Sequence, residues 1–306
     1  MPDFIDIDAV SREDLQTIML AAAALKKIHK LGEKNHALQG RQIALLFEKP
    51  STRTRASFEA GMYQLGGHVV VLNAQQTQMG RGESIADTAR VLSRYVDLLM
   101  IRCFRHETLQ ELADYSDVPV INGLTDYSHP CQIMADILTF TEHRGSILDK
   151  TIAWIGDGNN MTTSWIHAAV QFGFHLKIAT PEALKPADSL LHWAKKSGGF
   201  VEWTEKPEAA ASGADLVTTD TWVSMGDEDA EKRHKLLASY QVNSASMKYA
   251  KPDALFMHCL PAHRGEEVTV EVIDGPQSVI FDEAENRLHV QKAIMLWCLN
   301  FMDFVQ

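Results

Sequence analysis

The chain has 306 residues, 45% of them hydrophobic, and a formal net charge of −11 from 29 Lys and Arg against 40 Asp and Glu. That length suits two ordinary cores, and the acidic balance argues against nucleic acid or an anionic membrane as the main partner, so any anion site must be a local island of positive charge. The cysteines, Cys103, Cys131, Cys259 and Cys298, are widely spaced with no C-x-x-C pair, which argues against a zinc cluster or a disulfide framework and fits a reducing cytoplasm.

Met1 to Asp8 is acidic where a signal or transit peptide is basic, and the apolar run from Ile18 to Leu25 is too short to cross a bilayer, so a soluble chain is expected. Ser11-Arg12-Glu13-Asp14 has the form of a capping box. Apolar residues then recur at helical spacing from Leu15 to Leu25 before a basic end at Lys26, Lys27, His29 and Lys30, which predicts a long amphipathic helix. Ile43 to Phe47 is an apolar run of strand length. Pro50 stops any ladder, Ser51 offers a helix cap, and Phe58, Met62 and Leu65 follow at helical spacing up to Gly66-Gly67. The strand-to-helix turn puts first-turn N–H groups beside the hydroxyls of Ser51, Thr52 and Thr54 and the guanidinium groups of Arg53 and Arg55, a combination that suits phosphate. Basic residues there oppose the helix dipole, so an ordinary solvated helix start is the poorer reading.

His68 to Leu72 reads as a second buried strand, and the loop Gln75 to Gly82 leads to a helix carrying Ile85, Leu92 and Val96. Leu98 to Ile101 and Val118 to Ile121 read as strands on either side of a helix from about Glu107 to Tyr115, so the first half is a parallel sheet with crossovers. Arg102, directly after a strand, is placed either to add a guanidinium to the same pocket or to make a surface ion pair. His129-Pro130-Cys131-Gln132 opens a helix that runs to about His143. His129 and Gln132 there suit an amide or carbamoyl oxygen, although a His at a helix start also serves as a cap.

A second βα series begins with the strand Thr151 to Ile155 and a helix to about Phe172. Strands at His175 to Ala179, Asp215 to Asp220 and Ala254 to Leu260 alternate with helices near Ala187 to Lys196, Lys232 to Tyr240 and Asn243 to Ala250. Ser278 to Phe281 reads as a last short strand, and Glu285 to Phe304 as a terminal helix with Ile294, Trp297, Cys298 and Phe301 on one face. The turn Gly156-Asp157-Gly158-Asn159-Asn160 resembles the start of a dinucleotide fingerprint, but Met161 stands where the third glycine would be, so the glycines serve a tight turn and Asn160 projects an amide. Asp220 ends a strand, where its carboxylate either pairs with a cationic substrate group or closes an Asx turn. Cys259, in His258-Cys259-Leu260-Pro261, is either an inert core thiol or a soft proton acceptor. His258 and His263 have no carboxylate or thiol at ligand spacing on a shared helix face, so no metal is expected. Glu283 and Glu285 suit a helix start; Arg287 beside them is the exception.

Together these segments resemble the aspartate/ornithine carbamoyltransferase family over the whole chain. Ser51-Thr52-Arg53-Thr54-Arg55 and His129-Pro130-Cys131-Gln132 resemble its carbamoyl-phosphate signatures. Asp220-Thr221-Trp222-Val223-Ser224-Met225-Gly226, His258-Cys259-Leu260-Pro261 and the Gly156 turn resemble its ornithine branch. The resemblance implies an α/β fold of two domains, each a parallel sheet flanked by helices and joined by interdomain helices. Residues 1–133, with the C-terminal helix 288–306 packing back on them, would bind carbamoyl phosphate, and residues 134–287 would bind ornithine. It further implies that Ser51, Thr52, Arg53 and Thr54 hold the phosphate, that Arg102, His129 and Gln132 hold and polarise the carbamoyl group, with Pro130 in the same carbamoyl-phosphate site and Cys131 only packing there, and that Cys259, Leu260 and Arg287 line the reacting centre. Asn160, Asp220, Ser224 and Met225 would bind ornithine. Gln78 would be lent to a neighbouring subunit's site, which implies a homotrimer. The reaction so implied, carbamoyl transfer to the δ-amine of ornithine to give citrulline and phosphate, needs no metal or cofactor; closure of the second domain and of the Trp222 to Gly226 loop would exclude water. Another acceptor such as putrescine or aspartate is the nearest alternative, and a nucleotide-binding module built on Gly156 and Gly158 the more distant one.

Overall fold

The computed structural model describes residues 1–73, 82–223 and 229–305. It divides into two compact units, Met1–Leu138 with Glu285–Gln306 and Thr139–Ala284, where the sequence reading divided the chain at 133/134 and 287/288.

In the first unit, α1 (Arg12–Lys30) is capped by Ser11, whose side chain accepts from the Asp14 N–H. There follow β1 (Gln42–Phe47), α2 (Thr52–Gln64), β2 (His68–Asn73), α3 (Ile85–Leu92), β3 (Leu98–Arg102), α4 (His106–Tyr115), β4 (Val120–Leu124) and α5 (Pro130–Arg144). The strands form one parallel sheet in the order β2-β1-β3-β4. Because parallel strands are covered on both faces, β1 is buried at every position after Gln42. Ala44, Leu46, Leu99 and Ile101 pack with Ala89 of α3 and with Leu109 and Leu112 of α4. The start of β4 differs from expectation: Pro119 has no N–H for the ladder, so pairing begins at Val120 and runs on to Leu124.

The second unit contains β5 (Thr151–Ile155), α6 (Asn160–Phe172), β6 (His175–Ala179), α7 (Asp188–Lys196), β7 (Phe200–Thr204), α8 (Pro207–Ala211), β8 (Leu216–Thr219), α9 (Ala230–Leu237), α10 (Ser244–Met247), β9 (Leu255–His258) and α11 (Val270–Ile273). Its parallel sheet has the order β7-β6-β5-β8-β9. Strand β7 and helices α8 and α11 are additions to the sequence reading. β7 is an edge strand whose residues are exposed or half-buried, so it lacks the apolar run that marks a central parallel strand. The strand expected at Ser278 to Phe281 is absent. Ser278 makes one bridge to Phe256, and α12 (Ile280–Cys298) has already begun at Ile280, with Asp282 and Glu283 in the first turn favouring a helix start there.

Both sheets reverse direction of strand addition in the middle, between β1 and β3 in the first and between β5 and β8 in the second. Crevices outside the carboxyl ends of strands at such reversals are where parallel α/β sheets bind ligands. Among the described residues no helix is long and apolar enough to cross a membrane, and Cys103, Cys131, Cys259 and Cys298 are all free thiols.

Candidate active site

The first half of the site is built at the β1/β3 reversal. Phe47 pairs in register with Arg102, so the turn after β1 and the end of β3 are neighbours. Ser51 has extended backbone, and its Oγ accepts from the Thr54 N–H at 3.2 Å, which starts α2. Thr54 is fully buried, and its Oγ1 accepts from Arg102 Nη1 at 3.2 Å and from Arg287 Nη2 at 2.8 Å. One hydroxyl thereby ties the end of β3 and the helix α12 to the first turn of α2. The sequence reading counted Thr54 as a phosphate ligand only; the tie to Arg287, 233 positions later, is a tertiary fact.

Three guanidinium groups therefore gather in a chain of strongly negative net charge. Their field reaches His129, which is 4% exposed. Burial, and then the charges of Arg287, Arg102 and Arg53, hold its imidazole well below the ordinary histidine pKa, so at neutral pH it is uncharged. Arg55 does not join this group. It lies on the solvent side of α2 and pairs with Glu59 one turn on, at 3.0 Å, so the motif supplies one guanidinium and not two. Lys49 is likewise engaged elsewhere, paired with Asp126 and lying over the Phe104 ring. Pro130 occupies the first position of α5, where a missing N–H costs nothing. Cys131 is fully buried with its Sγ–H directed at the Asn122 carbonyl at 3.4 Å, and burial pushes its thiol up to about 12, which is consistent with packing alone. Gln132 is 1% exposed and donates from Nε2 to Asp136 Oδ1 at 2.8 Å.

The second half lies at the β5/β8 reversal. Asn159 caps α6 by accepting from the Met161 N–H, and Gly158 is required beside it because a Cβ there would lie 2.1 Å from the Leu184 carbonyl. Thr219 and His258 are in register, so Asp220 and Cys259, each one residue past a strand, come side by side. Asp220 is 8% exposed and accepts from Asn159 Nδ2 at 2.9 Å, the Thr221 N–H at 2.7 Å and Cys259 Sγ at 3.1 Å. Asn159 is a contact that the sequence reading missed. For Asn159 the cap position preceding an apolar helix was the signal available, while Asn160 is the first residue of α6 and half-buried. Arg233 was also missed: it pairs with Asp157 of the same turn and donates to the Trp222 carbonyl at 2.8 Å.

Behind Cys259, His258 and Glu267 are both fully buried and 3.1 Å apart, while Nδ1 of His258 accepts from the Leu260 N–H at 2.9 Å. Nε2 therefore carries the proton given to Glu267, and the imidazole holds the backbone of Leu260, whose φ of 57° is left-handed. Helix spacing does not describe this corner. Ligand atoms of Asp220, His258 and Cys259 lie within 4.8 Å of one another because adjacent strand ends, not a helix face, bring them together; His263, Glu266 and Glu267 form a second such group. Gln78, Ser224 and Met225 lie outside the described residues.

Neutral His129 has a consequence for stability. A second imidazole, His289 on α12, is fully buried without a hydrogen bond among the described residues, and burial with the nearby charges of Lys292, Lys26, His29 and Lys30 pushes it down to about 3. In the unfolded chain both take up a proton near pH 6.5. Stability is therefore whole above pH 6.5 and is lost as pH falls below it; for His289, held at about 3, the loss between pH 6.5 and 5 is about 2 kcal/mol. Urea unfolding at the two pH values is expected to show a smaller acid loss in His289→Leu than in the parent chain; equal losses would mean that His289 is protonated in the fold.

Comparison with known proteins also divides the chain in two, although it counts residues 285–298 of α12 with the second part. Residues 2–142 match the carbamoyl-P binding domain of aspartate/ornithine carbamoyltransferase, and residues 148–298 match its Asp/Orn binding domain. The chain is 58% identical over 300 residues to an ornithine carbamoyltransferase of Rhodopseudomonas palustris, covering 96% of each chain, and 57% identical over 296 residues to one of Brucella suis, covering 97% of this chain and 95% of the other. Among solved structures, the ornithine carbamoyltransferase of Pyrococcus furiosus superposes with a TM-score of 0.93 at 48% identity, covering 96% of each chain. That of Burkholderia thailandensis gives 0.91 at 48% identity, covering 98% of this chain and 99% of the other.

Proposed function

Since the chain belongs to the aspartate/ornithine carbamoyltransferase family, we propose that it is an ornithine carbamoyltransferase, which moves the carbamoyl group of carbamoyl phosphate to the δ-amine of L-ornithine and releases L-citrulline and phosphate. The observation that carries the donor half is the convergence of Arg53, Arg102 and Arg287 around a neutral His129. Such a site attracts a phosphate dianion, with Ser51, Thr52, Arg53 and Thr54 as its cradle, and charged hydrogen bonds contribute about 1.5 to 3 kcal/mol each. As the amine attacks, charge grows on the carbamoyl oxygen, where Arg102 and His129 act as donors, and Arg287 stabilises the phosphate that leaves. A neutral His129 still donates one N–H, and it adds no further cation to the mutual repulsion of the three arginines.

The acceptor must lose a proton first. An alkyl ammonium of lysine-like pKa, about 10.4, costs about 4.6 kcal/mol to deprotonate at pH 7. Asp220 pairs with the ornithine α-ammonium in this reading, Asn160, Ser224 and Met225 complete the acceptor contacts, and Cys259 and Leu260 lie at the reacting centre. Asp220 has the wrong sign for a second substrate carboxylate, which disfavours aspartate. Putrescine has no α-amino acid end for Asp220 to recognise, and none of the relatives named above is a putrescine enzyme. Purified protein supplied with carbamoyl phosphate is expected to form a ureido product at least a hundredfold faster with ornithine than with putrescine or aspartate. Comparable turnover of putrescine would overturn the assignment.

We further read the protein as a cytoplasmic homotrimer in arginine biosynthesis, with Gln78 given to a neighbouring site; the family resemblance of the Gln78 to Glu83 loop and the free thiols support this. Mixing an inactive Gln78→Ala chain with an inactive Arg102→Ala chain is expected to restore part of the activity if sites are shared.

A further inference from the structure

Gln132 and Asp136 stand one turn apart on α5, each 1% exposed, and Gln132 Nε2 donates to Asp136 Oδ1 at 2.8 Å. A carboxylate only accepts, whereas an amide side chain has a donor corner and an acceptor corner that differ little in shape. The pairing therefore selects one of two nearly isosteric orientations of Gln132. Nε2 is turned toward Asp136, and Oε1, on the other corner of the same planar amide, is turned away from it.

We propose that Asp136 is a positioning residue that sets donor specificity: it holds Gln132 with an acceptor presented to the ligand, so that the site recognises a donor-bearing carbamoyl nitrogen and discriminates against an acyl phosphate carrying a methyl group in its place. The inference rests on the carbamoyl-phosphate reading of this half-site. Acetyl phosphate is the matching probe, because it keeps the phosphate and the carbonyl and replaces only NH₂ by CH₃. An acceptor left facing a methyl group loses its hydrogen bond, and sites built on buried polar groups reject such analogues strongly. In this proposal Asp136 acts through the orientation of Gln132.

The test is Asp136→Asn, which keeps the shape but removes the asymmetry: an asparagine side chain there can accept from Nε2 or, flipped, donate to Oε1. Competition binding of carbamoyl phosphate and acetyl phosphate to the full protein is expected to show the preference for the carbamoyl compound falling five- to tenfold or more, mainly through weaker carbamoyl phosphate, with KM for ornithine within twofold of the parent. Asp136→Ser, which removes the carboxylate and leaves room for water, is expected to shift the preference the same way, and it stands as the test if the first variant fails to fold. A preference unchanged in both variants, or both ligands weakened by the same factor, would show that Asp136 only supports the helix. Parent protein that binds neither acyl phosphate would instead sink the functional reading from which the proposal starts.

Discussion

Arg102→Ala is expected to lower kcat/KM for carbamoyl phosphate by three to four orders of magnitude while leaving the unliganded protein as stable as the parent, or more so. Loss of one preorganised oxyanion donor costs about 10²- to 10³-fold, and loss of a charged contact to phosphate adds about 1.5 to 3 kcal/mol. Stability moves the other way because Arg102 stands in one cluster with Arg53 and Arg287 around His129, and its charge opposes those of the other two guanidinium groups. Its loss relieves that repulsion and gives up, among its contacts, a hydrogen bond to Thr54 worth about 1 kcal/mol. The check is a thermal scan with and without phosphate: the parent should gain stability from the anion and the variant much less. Arg102→Lys should recover only part of the rate, since an ammonium cannot offer the planar fork. A loss below tenfold would make Arg102 an ion-pair residue outside the chemistry.

The second large effect is expected at Asp220. Asp220→Asn should lower kcat/KM for ornithine about a thousandfold and leave carbamoyl phosphate binding within a few-fold of the parent, since the variant lies in the other compact unit. The carboxylate accepts from Asn159, Thr221 and Cys259. An amide can accept at only one of its two corners, so one of these donors must face another donor, at a cost of about 1 to 3 kcal/mol. Steady-state kinetics in each substrate, with a denaturation curve for each protein, separates the two effects. If stability falls and the ornithine parameters do not move, Asp220 is a turn residue and the acceptor half must be sought elsewhere.

Much of this was legible along the chain because it depends on near neighbours in sequence. The apolar run Ile43 to Phe47, the cap at Ser51 and the alternation of strand and helix each follow from local sterics and hydrogen bonding, and they give two parallel sheets with chemistry just past the strand ends. The burial of Cys131 was also visible, whereas Arg287, expected at a helix start, lies about two turns inside α12, which begins at Ile280. Ser278 to Phe281 has strand-like residues, but acids in the next turn and packing of Ile280 make it a helix start. Strand β7 escaped notice because an edge strand has no continuous apolar signature. Arg55 belonged to the motif by position, yet i,i+4 geometry sends it to Glu59.

By itself the sequence determined the elements, the family resemblance and the residue types available for binding a phosphate and an amino acid. Only the tertiary structure decided which of these meet. That Thr54 receives both Arg102 and Arg287, that burial and three cations keep His129 neutral, and that Asp220 gathers Asn159 and Cys259 all depend on the order of strands in each sheet and on the return of α12 to the first unit. The physical reason is range. Capping, propensity and periodicity act over one or two turns of chain, whereas strand order and burial are set by non-local packing, and the charge state of a buried group follows from the neighbours that packing supplies.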